Sequence, residues 1–148
     1  LFICKKNIMA LKVESKVGKS NCLDTELFEF LSDFSRFVNI LPPQHKANIQ
    51  ATKDTCTISA GVMGTIVLHH IEKESPKLIK IGTTGSKETI TLWIQLKQVD
   101  AYDTRVKITV SIEASFMAKM MIKNKIQTFA DSLTDGICQL QPYMLKSL

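Results

Sequence analysis

Apolar and polar residues alternate along most of the chain with the two-residue period of a β-strand that buries one face. Residues 11–19 alternate first, with Val13 and Val17 on the same apolar face. Six further strand-like stretches follow, and short turns separate them. Because parallel strands need long crossover connections, these short turns predict an antiparallel meander. The six stretches cover residues 47–51, 56–61, 65–74, 78–83, 89–96 and 105–116.

Two regions follow the 3.6-residue period of an α-helix instead. After the first strand, Asp24 or Thr25 is positioned to cap a helix, and a second short helix is predicted over residues 35–41, where two prolines stop it. From about Met117 an apolar stripe steps by three or four residues along a helix of about 35 Å that ends at Pro142. The stripe consists of Ala118, Ile122, Ile126, Phe129, Leu133, Ile137 and Leu140.

This order of elements predicts an α+β fold. A curved antiparallel sheet of about seven strands must cover one hydrophobic face, and the C-terminal helix is the only predicted element long enough to do so. The sheet is therefore expected to wrap around that helix, with the two short helices after strand 1. We predict a single domain over residues 1–148 with its core at 9–142, and interpret residues 1–8 as a flexible arm or upstream sequence.

Composition narrows the possible functions. The chain has 148 residues, of which 45% are hydrophobic, and no stretch approaches the roughly 18 consecutive apolar residues of a membrane span. The net charge is +5, but 17 of the 19 basic residues are scattered lysines and only Arg36 and Arg105 are arginines. A nucleic-acid partner is therefore not predicted. Four widely spaced cysteines are typical of free thiols in a reducing compartment, which favours a cytoplasmic protein.

One motif identifies a family. The segment Phe28-Glu29-Phe30-Leu31-Ser32-Asp33, followed by Phe37, Leu41 and Pro42, resembles the "vf-x-fl-x-D … l-x-P" signature of the START/birch-pollen-allergen superfamily, also called SRPBCC or helix-grip proteins. In that family the signature forms a pair of short helices that plugs one end of the sheet. The likeness in element order extends over residues 11–140 and includes the polyketide cyclase/dehydratase-like proteins.

The resemblance implies a cavity between the long helix and the concave sheet. Members of the family bind lipids, sterols, hormones or polyketides there, a minority catalyse cyclisation or dehydration, and others act through protein contacts, for example as activators of a chaperone ATPase. Fold alone does not choose among these roles. The leading expectation is an intracellular module that binds a hydrophobic or amphipathic small molecule. The alternatives are a cyclase- or dehydratase-like enzyme and an interaction domain with a filled core.

The residues expected to face the cavity are almost entirely apolar, which argues against catalysis because acid–base chemistry needs a polar group beside the substrate. The exception is the pair His69 and His70, of which one must point inward on a strand; the pattern does not say which, and an ordinary structural histidine is the simpler interpretation. No catalytic residue, metal site or cofactor is predicted. The predicted lining residues are Phe34, Phe37, Leu41, Met63, His69, Ile81, Ile94, Ile108, Met121 and Ile122.

Three further features have two interpretations each. Methionines around the start of the long helix suit a cavity with variable apolar ligands, or simply fill the core. The lysines in the first turns of that helix, among them Lys125, either guide an anionic ligand or form a solvated face. Trp93 alternates away from the apolar set, so it is expected on the outer face of the sheet, either covered by a loop or as a contact for a second copy or a protein partner.

Overall fold

The computed structural model describes residues 9–59, 64–83, 89–114 and 116–146. Within these ranges, eight strands form one antiparallel sheet, in the order β1-β8-β7-β6-β5-β4-β3, with β2 also paired to β8. The predicted α+β class and curved antiparallel sheet are confirmed. The strands are β1 (Met9–Glu14), β2 (Gly18–Ser20), β3 (Ile49–Ala51), β4 (Thr55–Ser59), β5 (Thr65–Glu74), β6 (Leu78–Thr83), β7 (Thr89–Asp100) and β8 (Asp103–Ala114).

The first predicted strand is divided in two, which corrects the expectation of one continuous strand. Glu14 pairs with Thr109 and Gly18 pairs with Val106, so three residues of the first segment lie opposite two of β8. One extra residue on one strand is the arrangement of a β-bulge. The side chains beyond it then point to the opposite face of the sheet from the one that the alternation predicts. Val17 is consequently 59% exposed, although its spacing from Val13 predicts burial.

Hydrogen bonds of Ser15 hold the break between β1 and β2 in place. The backbone N–H of Ile108 donates to Ser15 Oγ at 2.9 Å, and the Thr134 hydroxyl lies 2.8 Å from the same oxygen. Beside it, the N–H of Lys16 donates to Asp131 Oδ1 at 3.0 Å. The break therefore ties the N-terminal strands to the C-terminal helix through polar contacts, and the buried ones at Ser15 are costly to leave unsatisfied.

Three short helices follow β2: α1 (Asp24–Leu31), α2 (Phe34–Phe37) and α3 (Pro43–Lys46), with a 3₁₀ turn at Val38–Ile40 between the last two. Neither Asp24 nor Thr25 caps α1, because Leu23 occupies the cap position without a side-chain hydrogen bond. Asp33 caps α2 instead and accepts a hydrogen bond from the N–H of Ser35 at 3.0 Å. The acidic residue of the signature is thus a helix cap.

Helix α3 is not anticipated by the sequence pattern. Two prolines stop the preceding turn, as predicted, but the second of them also occupies the first turn of α3. Proline is favoured there because the first N–H groups of a helix have no partner within the helix. The same pair of prolines therefore ends one helix and begins the next.

The long helix α4 spans Phe116–Cys138 and packs against β8, β1 and β2. Its Gly136 lies against the 3₁₀ turn, where an added Cβ would come within 3.1 Å of the Ile40 carbonyl oxygen. Glycine at this position therefore allows the helix and the turn to approach closely, and the helix continues through it. No helix in the described part of the chain is long and apolar enough to cross a membrane.

The space between sheet and helix divides into a filled half and a hollow half. In the filled half, Ile79, Ile94 and Ile108 pair across β6, β7 and β8, and all three are completely buried. Leu27 and Leu31 of α1 are also completely buried in this core. The hollow half begins one pleat further along the same strands, and the candidate site lies there.

Candidate functional site

A cavity of about 240 Å³ lies between the sheet and α4. Its walls come from both layers of the fold, with the α2 segment and α3 closing one side. The sheet contributes Ile49, Cys56, Ile58, Ile66, Leu68, Ile81, Ile90, Leu92, Val110 and Ile112, and the helical segments contribute Phe34, Phe37, Val38, Leu41, His45, Ile126, Phe129 and Leu133.

Two of these lining residues carry polar side-chain atoms, Cys56 and His45. Cys56 is 5% exposed, and burial raises the pKa of its thiol to about 11, so the side chain is neutral and a weak hydrogen-bonding group at physiological pH. His45 is exposed on α3, and its imidazole packs edge-on against Phe129 with ring centroids 5.9 Å apart. The cavity therefore offers a ligand apolar contact on nearly every side.

The structure brings four of the predicted lining residues, Phe34, Phe37, Leu41 and Ile81, together on the cavity wall. Ile94 and Ile108 differ from the expectation, because they belong to the filled half of the core and do not reach the cavity. Periodicity identifies the inner face of a strand but does not tell which pleats along it are covered by a helix.

For three further predicted lining residues, either the whole residue or its side chain lies outside the described structure. Met63 is outside the described residues. Met121 and Ile122 belong to α4, but their side chains are not described. Their contribution to the cavity stays a prediction.

His70, rather than His69, lies on the inner side of β5. Its imidazole stacks on Phe34, with ring centroids 4.3 Å apart and an angle of 15° between the planes. The pleat places His69 on the opposite face, where it pairs with Gly82 and Thr55, so the structure does not place it on the cavity wall. His70 contacts a lining residue without lining the cavity itself.

The environment of His70 favours its neutral form. Burial lowers the pKa of the imidazole, and the charge of Lys73 lowers it further, whereas Asp54 and Asp33 act in the opposite direction. Its Nε2 atom is buried and has no hydrogen-bond partner among the described residues. A neutral ring against Phe34 is thus the stable arrangement, since charging a buried group is costly.

Trp93 lies on the outer face of the sheet, as its alternation with Leu92 and Ile94 predicts. It is half-buried between its neighbours on adjacent strands, Lys80 and Thr109, and the Lys80 ammonium lies 5.7 Å from the centre of its ring. A homodimer or protein contact through this face stays a prediction. Within the described ranges, no cluster of three or more His, Cys, Asp or Glu side chains is placed to hold a metal ion.

His45 and Phe129 are the lining residues that sequence reasoning missed most clearly. The sequence suggests a loop for His45, because the two prolines indicate an end of helix and α3 is not predicted. Phe129 does belong to the predicted apolar stripe, which assigns it to the inner side of α4 without relating it to any partner. A pairing of two side chains 84 positions apart is a tertiary feature that periodicity does not report.

Solved structures with the same architecture are found in plants and bacteria. Norcoclaurine synthase from Thalictrum flavum aligns with a TM-score of 0.71 at 10% identity, over all of this chain and 94% of that one. A protein from Thermobifida fusca aligns with a TM-score of 0.61 at 11% identity, over 88% of this chain and 95% of that one. Ara h 8.0201 aligns with a TM-score of 0.55 at 11% identity, over 87% of this chain and 98% of that one. No protein-family model and no curated protein sequence matches the chain significantly.

The cavity between a curved antiparallel sheet and a long C-terminal helix, with short helices closing one end, defines the class of fold. The chain has the START/birch-pollen-allergen, or helix-grip, fold predicted from its motif and element order. At identities of 8–11%, these similarities establish the fold and leave the function to be argued from the site.

Proposed function

We propose that the protein binds a small apolar or amphipathic molecule in the cavity between the sheet and α4. The supporting observation is a partly open hollow of about 240 Å³, whose described walls are almost wholly aliphatic and aromatic. Protein interiors are otherwise packed as densely as organic crystals. A hollow of this size therefore supports a role in binding a ligand.

The energetic cost of an empty cavity supports this proposal. Water does not fill such a space well, because it finds few polar partners there. An apolar ligand replaces the missing contacts and buries its own surface, at about 25 cal/mol per Å².

Size gives a first limit on the ligand. An apolar cavity of about 150 Å³ in another protein binds benzene, so 240 Å³ suits a molecule with one or two rings or a short alkyl chain. One structural neighbour, norcoclaurine synthase, was solved in complex with dopamine and hydroxybenzaldehyde, which are also small aromatic molecules. That similarity adds an analogy, whereas the argument for this chain comes from its own cavity.

Binding is better supported than catalysis. A cyclase or dehydratase would need a polar group facing the substrate, and the inward histidine, His70, is stacked on Phe34 rather than on the cavity wall. The thiol of Cys56 is too weakly acidic, with a pKa of about 11, to act as a nucleophile without an activating partner.

A cytoplasmic location belongs to the same proposal, because the described cysteines Cys22, Cys56 and Cys138 are free thiols.

Native mass spectrometry of the protein purified from its own cells tests the proposal, with two matched variants. Ile66 and Val67 are neighbours on β5 and both half-buried, but only Ile66 lines the cavity. The natural protein and Val67→Trp should carry a small molecule, and Ile66→Trp, which fills the cavity, should have lost it. Purification of all three with no adduct, or with a protein partner instead, would contradict the proposal and favour an interaction domain.

A further inference from the structure

A surface groove of about 370 Å³ lies directly outside the cavity, between α3 and α4. Two residues, His45 and Phe129, line both spaces. Their rings meet edge to face at 5.9 Å and an angle of 86°, so this single pair of side chains forms part of the wall between the groove and the cavity.

The groove differs from the cavity in its chemistry. Apart from His45 and Phe129, its walls carry amide, hydroxyl and ammonium groups and one proline ring. Lys125 is the one lysine or arginine among the described lining residues of the groove, and these include no carboxylate. The other lining residues are Pro42, Gln44, Asn124, Thr128 and Ser132.

The arrangement follows from the helical period of α4. Lys125, Thr128 and Ser132 are three and four residues apart, so they lie on one side of the helix, next to Phe129. Ile126 and Leu133 line the cavity from the adjacent side. One stretch of two turns thus presents a polar row to the groove and an apolar row to the hollow interior.

We propose that the groove is the binding site for the polar head of an amphipathic carboxylate whose apolar tail fills the cavity. This inference rests on the proposed function and specifies its ligand class. The ammonium of Lys125 supplies the charge that favours an anion, and the neighbouring amide and hydroxyl groups supply hydrogen-bond donors. In this proposal the ligand crosses between the two spaces at the His45–Phe129 pair, so the two contacting rings must separate to let the tail enter.

The volume of the cavity sets the length of the tail. A water molecule occupies about 30 Å³ of liquid, and a methylene group is of similar size, so 240 Å³ accommodates about eight methylene groups. Decanoate is therefore a suitable probe, with 1-decanol and decylammonium as neutral and cationic molecules of the same chain length. We expect decanoate to bind tightest and decylammonium weakest.

Isothermal titration calorimetry with two lysine variants tests where the polar head of the ligand binds. Lys125→Gln should weaken decanoate binding by about two- to fivefold, the range for an exposed charge pair, and leave 1-decanol unchanged. Lys123→Gln is the control, because Lys123 is also exposed on α4 but does not line the groove. Equal affinities for decanoate and 1-decanol, unaltered by Lys125→Gln, would overturn the head site and leave the apolar cavity as a binding site. Failure of all three probes to bind would contradict the proposed function as well.

Stopped-flow kinetics tests the passage. His45→Ala removes one of the two rings between groove and cavity, so decanoate should associate and dissociate several-fold faster than with the natural protein. Lys46→Ala is the control, since Lys46 lies beside His45 on α3 and lines neither space. Unchanged rates in His45→Ala would contradict the proposal that the ligand enters the cavity between His45 and Phe129.

Discussion

The imidazole of His70 lies parallel to the ring of Phe34, at a centroid distance of 4.3 Å, with its buried Nε2 atom unpaired within the described structure. The contact joins β5 to α2 at the edge of the cavity. Burial and the charge of Lys73 lower the pKa of this ring and outweigh the carboxylates of Asp54 and Asp33, which raise it. The contact thus connects the stability of the fold to pH.

We expect stability to fall as the pH falls below about 6.5, the pKa of a histidine in an unfolded chain. Burial and Lys73 lower the pKa of His70 in the folded state, so between the two pKa values the unfolded chain binds more protons than the native one. Stability is therefore fully present above pH 6.5 and is lost towards the lower, folded pKa. Urea unfolding at pH 7.5 and pH 5.5 measures this loss.

His70→Phe preserves the stacked ring but cannot titrate, so it should lose less stability than the natural protein between these two pH values. His69→Gln is the control, since His69 lies on the opposite face of the same strand. The same pH dependence in His70→Phe as in the natural protein would show that other groups cause it.

The sequence predicts the sheet and the long helix well, because both depend on periodicities repeated over many residues. The alternation of Val106, Ile108, Val110 and Ile112 on β8 corresponds to a buried face in the structure, as predicted. The break after Glu14 was not predictable in this way, since a bulge of one residue changes the facing without changing the composition.

The site is less predictable than the fold, for a physical reason. Leu92 lines the cavity and Ile94 is solid core, yet both are aliphatic residues on the inner face of β7. What separates them is which helix lies above each pleat, and that depends on contacts between residues distant in sequence. The position of His45 similarly depends on α3, a helix of four residues that is too short to show a period.

The thiol of Cys56 should report on the contents of the cavity. Cys56 and Cys138 both have a pKa raised to about 11, mainly by burial, so about one thiol in a thousand is ionised at pH 8. Both should react slowly with N-ethylmaleimide in the native protein and rapidly in urea. Peptide mapping by mass spectrometry follows each cysteine separately.

Saturating decanoate should slow the modification of Cys56 several-fold and leave Cys138 unaffected, because only Cys56 lines the cavity. Cys138 is thus the internal control within one sample. Equal protection of both cysteines would indicate a general stabilisation of the fold, and protection of neither would indicate that decanoate binds elsewhere.

Gly18 lies directly beneath the C-terminal end of α4, where β2 and the helix meet. A Cβ atom at this position would collide with the Cys138 sulfur and lie 2.9 Å from Cγ2 of Thr134. Gly18→Ala should therefore destabilise the protein by about 1–3 kcal/mol, as expected for overpacking. Urea unfolding gives the change in the free energy of unfolding.

Cys138→Ala provides the matched test, because it removes the sulfur that the new methyl group would meet. The double variant should be more stable than the sum of the two single effects predicts, with a coupling of about 0.5–3 kcal/mol. Strict additivity would mean that the strain in Gly18→Ala arises elsewhere.

Ile94 tests the division of the core into a filled and a hollow half. Its side chain is completely buried between Ile79 and Ile108 on the neighbouring strands. Ile94→Ala should reduce the free energy of unfolding by about 2–5 kcal/mol, because it removes packed methylene groups from a region with no spare volume. Gln95→Ala, at the exposed neighbouring position, should change it by about 0.5 kcal/mol or less.

The same variant separates stability from binding. Because Ile94 does not line the cavity, Ile94→Ala should bind decanoate with the affinity of the natural protein as long as it is folded. Ile94→Asp should fail to fold, since it places an uncompensated charge in the filled half. Two results would contradict this division: a folded Ile94→Asp, or a large loss of decanoate affinity in folded Ile94→Ala. Either would mean that the cavity extends along β7 beyond Leu92 and that the ligand contacts residues assigned here to the solid core.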